Sequence, residues 1–186
     1  MLEFIEEQHI YILNGEIIPS VTQILEDLFP LKYENVPRET LEEKALYGTQ
    51  VHKFIEIIEK KKPKNPLGYI RRYYEPTIYQ EESLKDYLKI KEKYNIIITD
   101  SEKKIHYKNK YAGTLDLKGY VNNKSAIIDI KTTYDLDEQY VSWQSSMYEL
   151  ADGPVEELYC MWLPKGRLGK LIKLERIKKD FILTII

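Results

Sequence analysis

Polar and apolar positions alternate near the amino terminus and predict a β-hairpin followed by a helix. In "EQHIYILNGEIIPS" the alternation is centred on Asn14-Gly15, a pair that favours a two-residue hairpin turn, so two short strands are expected. Ser20 and Gln23 have the spacing of a capping box, which predicts a helix beginning at this point. Pro30 is expected to end that helix.

A longer run of apolar residues with helical spacing extends from about residue 37 to residue 61 and predicts a second helix. One face of that helix combines small, polar and apolar side chains: Gly48, His52, Ile55 and Glu59. A third helix is expected to begin at Ser83 or a few residues earlier. Residues 65–80 have no pattern that decides their structure.

From Asn95 onward the hydrophobic period changes to two, which is typical of strands. Three strands are predicted in "NIIITDSEKKIHY", "YAGTLDLKGYV" and "SAIIDIKTT", and a turn at residues 122–124 would join the latter two. An amphipathic helix in "DEQYVSWQSSMYELA", strands in "EELYCMWL" and "KLIKLERI", and a closing helix in "KKDFILTII" would follow. This mixed order predicts the α/β fold class.

Composition narrows the kind of protein to be expected. The 186 residues suit a single domain that can bury a core without disulfides. The chain has no apolar run long enough for a membrane span, so we expect no membrane contact and a soluble, cytoplasmic protein. Its net charge of −2 gives no global attraction to a polyanion, so contact with nucleic acid would have to be local. The single cysteine, Cys160, is expected to be a small buried hydrophobe.

The stretch "AIIDIKTT" places two charges inside a run that otherwise predicts a buried strand. Because side chains alternate across a strand, Ile127, Asp129 and Lys131 are expected on one face, and Ile128 and Ile130 on the other. A buried charge is costly unless it is paired or bound to a metal. One interpretation is therefore an ion pair between Lys131 and a carboxylate, with no metal.

A second carboxylate is expected beside Asp129. The preceding strand carries Asp116, and the short connection between the two strands would bring Asp116 next to Asp129. Adjacent carboxylates repel each other unless a cation joins them, and hard oxygen ligands of this type suit Mg²⁺ or Mn²⁺. We favour a metal site over the ion pair alone, because a buried ion pair is weak evidence of a role in stability.

Five short motifs that follow one another along the chain resemble those of a known family: "YGTQVH", "SE", "AGTLDL", "IIDIKTT" and "QSSMY". They are similar to the GTxxH, glutamate, GxxD, DxK and QxxxY motifs of the RecB-type nucleases in the PD-(D/E)XK superfamily. The segment "HIYILNGEIIPSVTQIL" is also similar to the start of small phage-encoded members. GxxD or DxK alone would occur by chance in many chains, so the resemblance depends on the series, from about His9 to Tyr148.

The resemblance implies a restriction-endonuclease-like fold, in which a central mixed β-sheet is flanked by helices, as one nuclease domain over residues 1–186. It implies Mg²⁺ or Mn²⁺ as cofactor and DNA as partner. The related CRISPR-associated nucleases carry four cysteines for an iron–sulfur cluster, whereas this chain has only Cys160, so no cluster is expected within one chain. A second copy of the chain or a phage recombination partner is compatible with the resemblance, and a phage protein would act in the host cytoplasm.

The resemblance also implies roles for individual residues. Asp116 and Asp129 would bind the metal, helped by the Ile130 carbonyl and by His52. Lys131 would orient the attacking water and offset charge in the transition state.

Five further positions lie within the motifs of the family. Glu102 would bind a metal-bound water or a second ion. Gln144 and Tyr148, at i and i+4 of one helix, would contact DNA near the scissile phosphate. Thr49 and Thr132 are lesser candidates for phosphate contact.

Several of these positions have ordinary alternatives. Since "TDSEKK" is typical of an exposed turn, the glutamate of the motif could equally be Glu92 or another solvated acid rather than Glu102. Gln144 and Tyr148 could be helix surface and core, and His52 alone would be interpreted as a structural histidine. The other two histidines are expected to be structural: His9 and His106. Basic segments at 60–64, 71–72 and 165–179 would ordinarily be solvated surface, yet in a chain of net charge −2 they are the best candidates for phosphate contacts.

The expected function is metal-dependent hydrolysis of DNA phosphodiester bonds, as an exonuclease rather than an endonuclease, in phage or prophage recombination or repair. The alternative is a non-catalytic module that binds nucleic acid or protein on the same fold. The presence of the complete set argues against that alternative, because a binding module has no need of two adjacent carboxylates. The set consists of His52, Asp116, Asp129 and Lys131.

Overall fold

The computed structural model describes residues 1–5, 8, 10–29 and 37–186. Pro30, expected to end the first helix, and His9, expected to be structural, lie outside the described residues.

A small antiparallel sheet forms the amino-terminal part and confirms the predicted hairpin. Its strands, in spatial order, are β1 (Leu2–Ile5), β2 (Ile10–Leu13) and β3 (Glu16–Ile18). The turn between β2 and β3 uses Asn14 at φ 53° and Gly15 at φ 90°, which are the positive values that such a turn requires. The helix α1 (Val21–Leu28) follows, and Ser20 and Gln23 form the predicted capping box.

Three helices cover one side of the molecule: α2 (Arg38–Lys61), α3 (Pro66–Tyr74) and α4 (Ile78–Lys93). The undecided stretch therefore contains α3, which Asn65 caps and Pro66 begins. The α4 helix begins five residues before Ser83, because Thr77 and Gln80 form a second capping box.

The main sheet has five strands, in the spatial order β4 (Ile97–Tyr107), β5 (Tyr111–Val121), β6 (Lys124–Lys131), β7 (Glu157–Trp162) and β8 (Lys170–Lys173). Only β6 and β7 pair in parallel, and α5 (Glu138–Asp152) forms the crossover between them. A short helix, α6 (Lys179–Leu183), closes the described chain. The protein is thus an α/β fold with a mixed five-stranded sheet flanked by helices, as predicted.

The two faces of the main sheet carry separate apolar cores, which follow the alternation of β6. Ile128 and Ile130 pack with α2, α3 and α4, whereas Ile127 packs with α1, α5 and α6 on the other face. Cys160 is buried among the second set, and burial raises the pKa of its thiol, so its predicted role as a small hydrophobe is confirmed. Within the described residues, every helix is too short or too polar to traverse a lipid bilayer.

Candidate metal centre

Helix α2 brings His52 against strands β4 and β5 of the main sheet. The helix can lie close to the chain leaving β6 because Gly48 has no side chain: a Cβ at that position would be 2.9 Å from Thr132 Oγ1. His52 is one helical turn further along the same face, with about a quarter of its side chain exposed. A glycine in this motif therefore sets how deeply the histidine reaches toward the sheet.

Strands β4 and β5 place Glu102 and Asp116 opposite each other. Ser101 pairs with Leu117 and Lys103 with Leu115, so Glu102 and Asp116 occupy the facing position between these pairs. Glu102 has φ 51°, in the left-handed region that residues other than glycine rarely adopt. The interpretation of "TDSEKK" as an exposed turn was wrong, since the segment lies within β4.

His52, Glu102 and Asp116 together form what we call the carboxylate cluster. His52 Nδ1 lies 3.5 Å from Asp116 Oδ1 and 3.8 Å from Glu102 Oε1. One potential ligand atom from each of the three residues lies within 4.8 Å of the other two. Glu92, the alternative to Glu102, lies on the exposed surface of α4 and is not in this cluster.

Asp116 is joined to β6 through the backbone of Ile130. The Ile130 N–H donates to Asp116 Oδ2 at 2.6 Å, at the point where the described pairing of β5 with β6 has ended at Leu117 and Ile128. In an extended strand the N–H and C=O of one residue point to the same side. The Ile130 carbonyl is therefore directed toward the Asp116 side of β6, as a metal ligand at this position would have to be.

Asp129 and Lys131 form a buried ion pair, the arrangement expected of a site without metal. Asp129 is 2% exposed, and its Oδ2 lies 2.6 Å from Lys131 Nζ. Among the described residues, however, Asp129 Oδ2 has no partner in hydrogen-bonding geometry. A buried carboxylate oxygen that is close to a cation but lacks a hydrogen bond retains capacity for a further ligand.

A chain of hydrogen bonds connects Lys131 to helix α5. Lys131 Nζ donates to Gln144 Oε1 at 2.9 Å, and Gln144 Nε2 donates to the Tyr148 hydroxyl at 2.8 Å. Tyr148 can pack tightly against β5 because Gly113 has no side chain; a Cβ there would be 2.7 Å from the Tyr148 ring. Gln144 and Tyr148 are both buried, so they are positioned to hold Lys131 rather than to present a surface.

The pKa values in the site reflect crowded negative charge. Burial disfavours a charged His52, but the neighbouring Asp116 and Glu102 carboxylates outweigh burial and raise its pKa from 6.5 to about 10. Burial also opposes ionisation of Asp116, yet His52, Lys131 and the Ile130 N–H hold the pKa of Asp116 below its ordinary value. At neutral pH, in the absence of metal, an imidazolium therefore supplies positive charge between two carboxylates.

Asp129 and Lys131 are shifted in a related way. Burial raises the pKa of Asp129 from 3.8 to about 6, because the opposing effect of Lys131 does not fully compensate and the charge of Asp116 adds to the shift. Burial would lower the pKa of Lys131, but Asp129 and Asp116 raise it instead, so Lys131 stays charged.

The remaining residues named from the sequence differ in their location and exposure. Thr49 is exposed on α2, and Thr132 is half-buried where β6 ends, beside Gly48. Their assignment to phosphate contact stays a prediction. His106 is exposed on β4, with Nδ1 2.9 Å from the carbonyl oxygen of Lys108, and Trp143 packs into the core below α5.

Sequence reasoning missed Tyr11, which reaches the site from the small sheet. Its hydroxyl lies 2.8 Å from Thr114 Oγ1. Burial raises the pKa of Tyr11, and the charges of Glu102 and Asp116 raise it further, so the hydroxyl is near the carboxylate cluster. Its position inside a hairpin gave no signal, because only the docking of the small sheet on β5 brings it there.

The donor set fits a metal ion. Two carboxylates and one imidazole offer oxygen and nitrogen ligands from three different elements, and His52, Glu102 and Asp116 together could hold an ion. Asp129, whose buried Oδ2 pairs with Lys131, adjoins them on β6. The carboxylate cluster therefore lies beside a positively charged residue, Lys131.

Comparisons with known proteins identify no family. No protein-family model matches the chain, and no curated protein matches it. Among solved structures, the chain is similar to one described as "Crystal structure of SSO0001", at 19% identity and a TM-score of 0.38, over 89% of this chain and 80% of that one. A similarity this weak carries no argument about residues or activity.

Proposed function

We propose that the chain is a metal-dependent deoxyribonuclease that hydrolyses DNA phosphodiester bonds with Mg²⁺ or Mn²⁺. The observation that carries the proposal is the convergence of His52, Glu102 and Asp116 within 4.8 Å, with the Asp129–Lys131 pair beside them. One helix and three strands contribute to this one place: α2, β4, β5 and β6. The order of the same residues in the chain resembles the nuclease motifs described above.

The choice of metal follows from the ligands. Carboxylate and carbonyl oxygens suit Mg²⁺ and Mn²⁺, and His52 adds one imidazole nitrogen, a ligand that transition metals accept more readily than Mg²⁺ does. His52, Glu102, Asp116 and Asp129 would hold the ion, together with the Ile130 carbonyl that faces the same side of β6. A bound ion of this kind acidifies water and neutralises charge on a phosphoryl oxygen.

The chain's own residues would perform the remaining steps. Lys131 keeps its charge in a largely buried position, so it can stabilise negative charge that develops on a phosphate held next to Asp129. Gln144 and Tyr148 fix the lysine by their chain of hydrogen bonds. Contact of Gln144 and Tyr148 with DNA remains the hypothesis from the motif, and their burial supports a positioning role instead.

Attack from DNA ends is the form of the activity that we favour. A chain with a net charge of −2 should not coat duplex DNA, so productive binding would depend on a few local phosphate contacts and should weaken only modestly with salt. Exonuclease action in phage DNA recombination or repair is implied by the resemblance alone.

A second candidate is a binding module that lacks catalysis. The 2.6 Å ion pair between Lys131 and Asp129 favours it to some extent, because that pair is what a metal-free site would contain. It does not explain why Glu102 and Asp116 face each other beside His52, since nothing in a binding surface requires that repulsion.

One experiment separates the candidates. The purified protein is incubated with end-labelled linear DNA and with closed circular DNA, in Mg²⁺, in Mn²⁺ and in EDTA, and the products are resolved on a gel. We expect the linear DNA to be degraded in either metal, the circles to persist, and EDTA to stop the reaction. Equal digestion of circles would indicate an endonuclease, and no digestion under any condition would favour the binding module.

A further inference from the structure

A group of cationic and aromatic side chains lies at the carboxyl ends of β6 and β7, outside the carboxylate cluster. The Arg167 guanidinium carbon lies 4.6 Å from the ring centre of Tyr134 and 4.9 Å from that of Trp162. Lys170 Nζ lies 6.0 Å from the Trp162 ring centre. We call these four residues the stacking patch: Tyr134, Trp162, Arg167 and Lys170.

The pairing of β6 with β7 fixes the patch next to the catalytic lysine. Trp162 is the partner of Lys131 in the parallel register, so the two side chains project from the same face of the sheet, about one strand spacing of 4.8 Å apart. Trp162 Nε1 also donates to the Thr133 carbonyl at 2.8 Å, which ties the indole to the segment that leaves β6. Tyr134 directly follows that segment.

The patch is open to solvent and its charges are not neutralised. Tyr134 is 63% exposed, and Arg167 and Lys170 are exposed as well. Neither cation has a carboxylate within 4 Å among the residues that the structure describes, whereas Lys165 in the same loop lies 3.5 Å from Glu43. In a chain of net charge −2, two unpaired cations beside aromatic rings are suited to a ligand that is both anionic and flat.

We propose that the stacking patch binds an unpaired nucleotide of the DNA strand that enters the carboxylate cluster, an inference that rests on the proposed nuclease function. The base would stack on the Tyr134 ring, while Arg167 and Lys170 contact the adjoining phosphates. Aromatic platforms among cations are the way in which single strands are held without sequence preference. A base inside a duplex is already stacked on both faces, so only a frayed end or a single strand can use the patch.

The test measures binding without cleavage. Fluorescence anisotropy in EDTA compares a labelled single-stranded oligothymidine with a blunt hairpin duplex, for the wild type and three variants. Tyr134→Ala removes the ring, and Tyr134→Phe keeps it. Tyr120→Ala is the matched control, because Tyr120 is also exposed but pairs with Ser125, about 20 Å along β6 from Lys131.

We expect Tyr134→Ala to weaken binding of the single strand about ten-fold, the size typical of losing one base–aromatic stack, with little change for the duplex. Tyr134→Phe and Tyr120→Ala should bind as the wild type does. The proposal is overturned if Tyr134→Ala binds the single strand normally, if it loses both ligands equally, or if the wild type does not bind the single strand.

The two proposals can fail separately. If the wild type shows no metal-dependent cleavage but Tyr134→Ala still loses the single strand selectively, the patch is a nucleotide site and the nuclease assignment is wrong. If cleavage occurs and depends on metal while Tyr134→Ala leaves binding unchanged, the nuclease assignment stands and the patch does not.

Discussion

Helix α2 carries two ionisable side chains on one face, His52 and Glu59, and their surroundings differ in the balance of charge. Glu59 is 6% exposed, and its two oxygens lie 2.5 and 2.6 Å from Lys91 Nζ. The Tyr87 hydroxyl donates to Glu59 as well, at 2.7 Å. We call Glu59 and Lys91 the closed pair, since the carboxylate is balanced by one cation and both of its oxygens accept hydrogen bonds from that cation.

His52, at the other position, belongs to a group with more acidic than basic members. Its carboxylate partners lie 3.5 and 3.8 Å away, which is longer than a normal hydrogen bond. With His52 and Lys131 charged, three carboxylates from Glu102, Asp116 and Asp129 face only two positive charges. Both groups contain charged side chains that are wholly or partly shielded from solvent. The excess of negative charge around His52, and the carboxylate oxygens free to bind a further ligand, are therefore what indicate a binding site.

The largest expected effect is a loss of cleavage when the carboxylate cluster is changed, with no loss when the closed pair is changed. Asp116→Asn should reduce cleavage below detection, because it removes a ligand charge while an amide oxygen can still accept from the Ile130 N–H. Glu59→Gln is the matched control, since it also removes one carboxylate, from the closed pair on α2, the helix that carries His52. It should cleave at the wild-type rate, measured with linear DNA in Mg²⁺. A substantial rate in Asp116→Asn would remove the metal-site hypothesis.

Lys131→Ala should slow cleavage by about 10²–10³-fold, the usual loss for one electrostatic contact in a transition state. Metal affinity should change little, because Lys131 is not a ligand. Single-turnover rates and titration calorimetry measure the two quantities, and thermal melting checks that Asp129, left without its cation, has not unfolded the protein. Lost metal affinity with a preserved rate would contradict the role assigned to Lys131.

Removing the cation of the closed pair should lower the free energy of unfolding and leave metal binding unchanged. Lys91→Met leaves Glu59 buried without its cation, which should lower the free energy of unfolding by about 3 kcal/mol. Lys89→Met on the same helix is the control, because Lys89 is exposed and only 3.8 Å from Asp86, so the loss should be below about 1 kcal/mol. Urea unfolding measures both. Equal decreases in the free energy of unfolding in the two variants would show that the closed pair contributes no more to stability than an exposed ion pair does.

The smallest expected effect is a dependence of stability on pH that comes from His52. Its folded pKa of about 10 exceeds the ordinary 6.5, so its stabilisation is complete below pH 6.5 and is lost as pH rises toward 10. In EDTA, the stability of the wild type relative to His52→Gln should be greatest at pH 6 and fall steadily as the imidazole loses its proton. The contribution of the charged imidazole should be lost above pH 10. A difference that grows with pH would mean that the imidazole is neutral in the fold.

Much of the main sheet could be predicted because its signals are local. The turn at Asn122 and Asn123 uses positive φ values at both residues, so β5 and β6 had to form a hairpin that brings Asp116 beside Asp129. The alternation in "AIIDIKTT" assigned each isoleucine to its core correctly. Both inferences needed only a period and a turn.

Other features depend on contacts that no local pattern encodes. "TDSEKK" resembled a turn because β4 is an edge strand, where polar side chains face solvent. Glu102 enters the site through a left-handed backbone and the register with β5, and Tyr11 enters through the packing of a second sheet. The strand β1 also went unpredicted, since four residues carry too little periodicity to decide.

The most direct test of the account is the position of Mn²⁺ in crystals of the protein, located by anomalous scattering. We predict one strong peak within bonding distance of His52, Glu102 and Asp116, and none at Glu59, whose oxygens Lys91 already occupies. Crystals that contain Mn²⁺ but show no peak among those three residues would contradict the claim that the imbalance of charge marks a metal site.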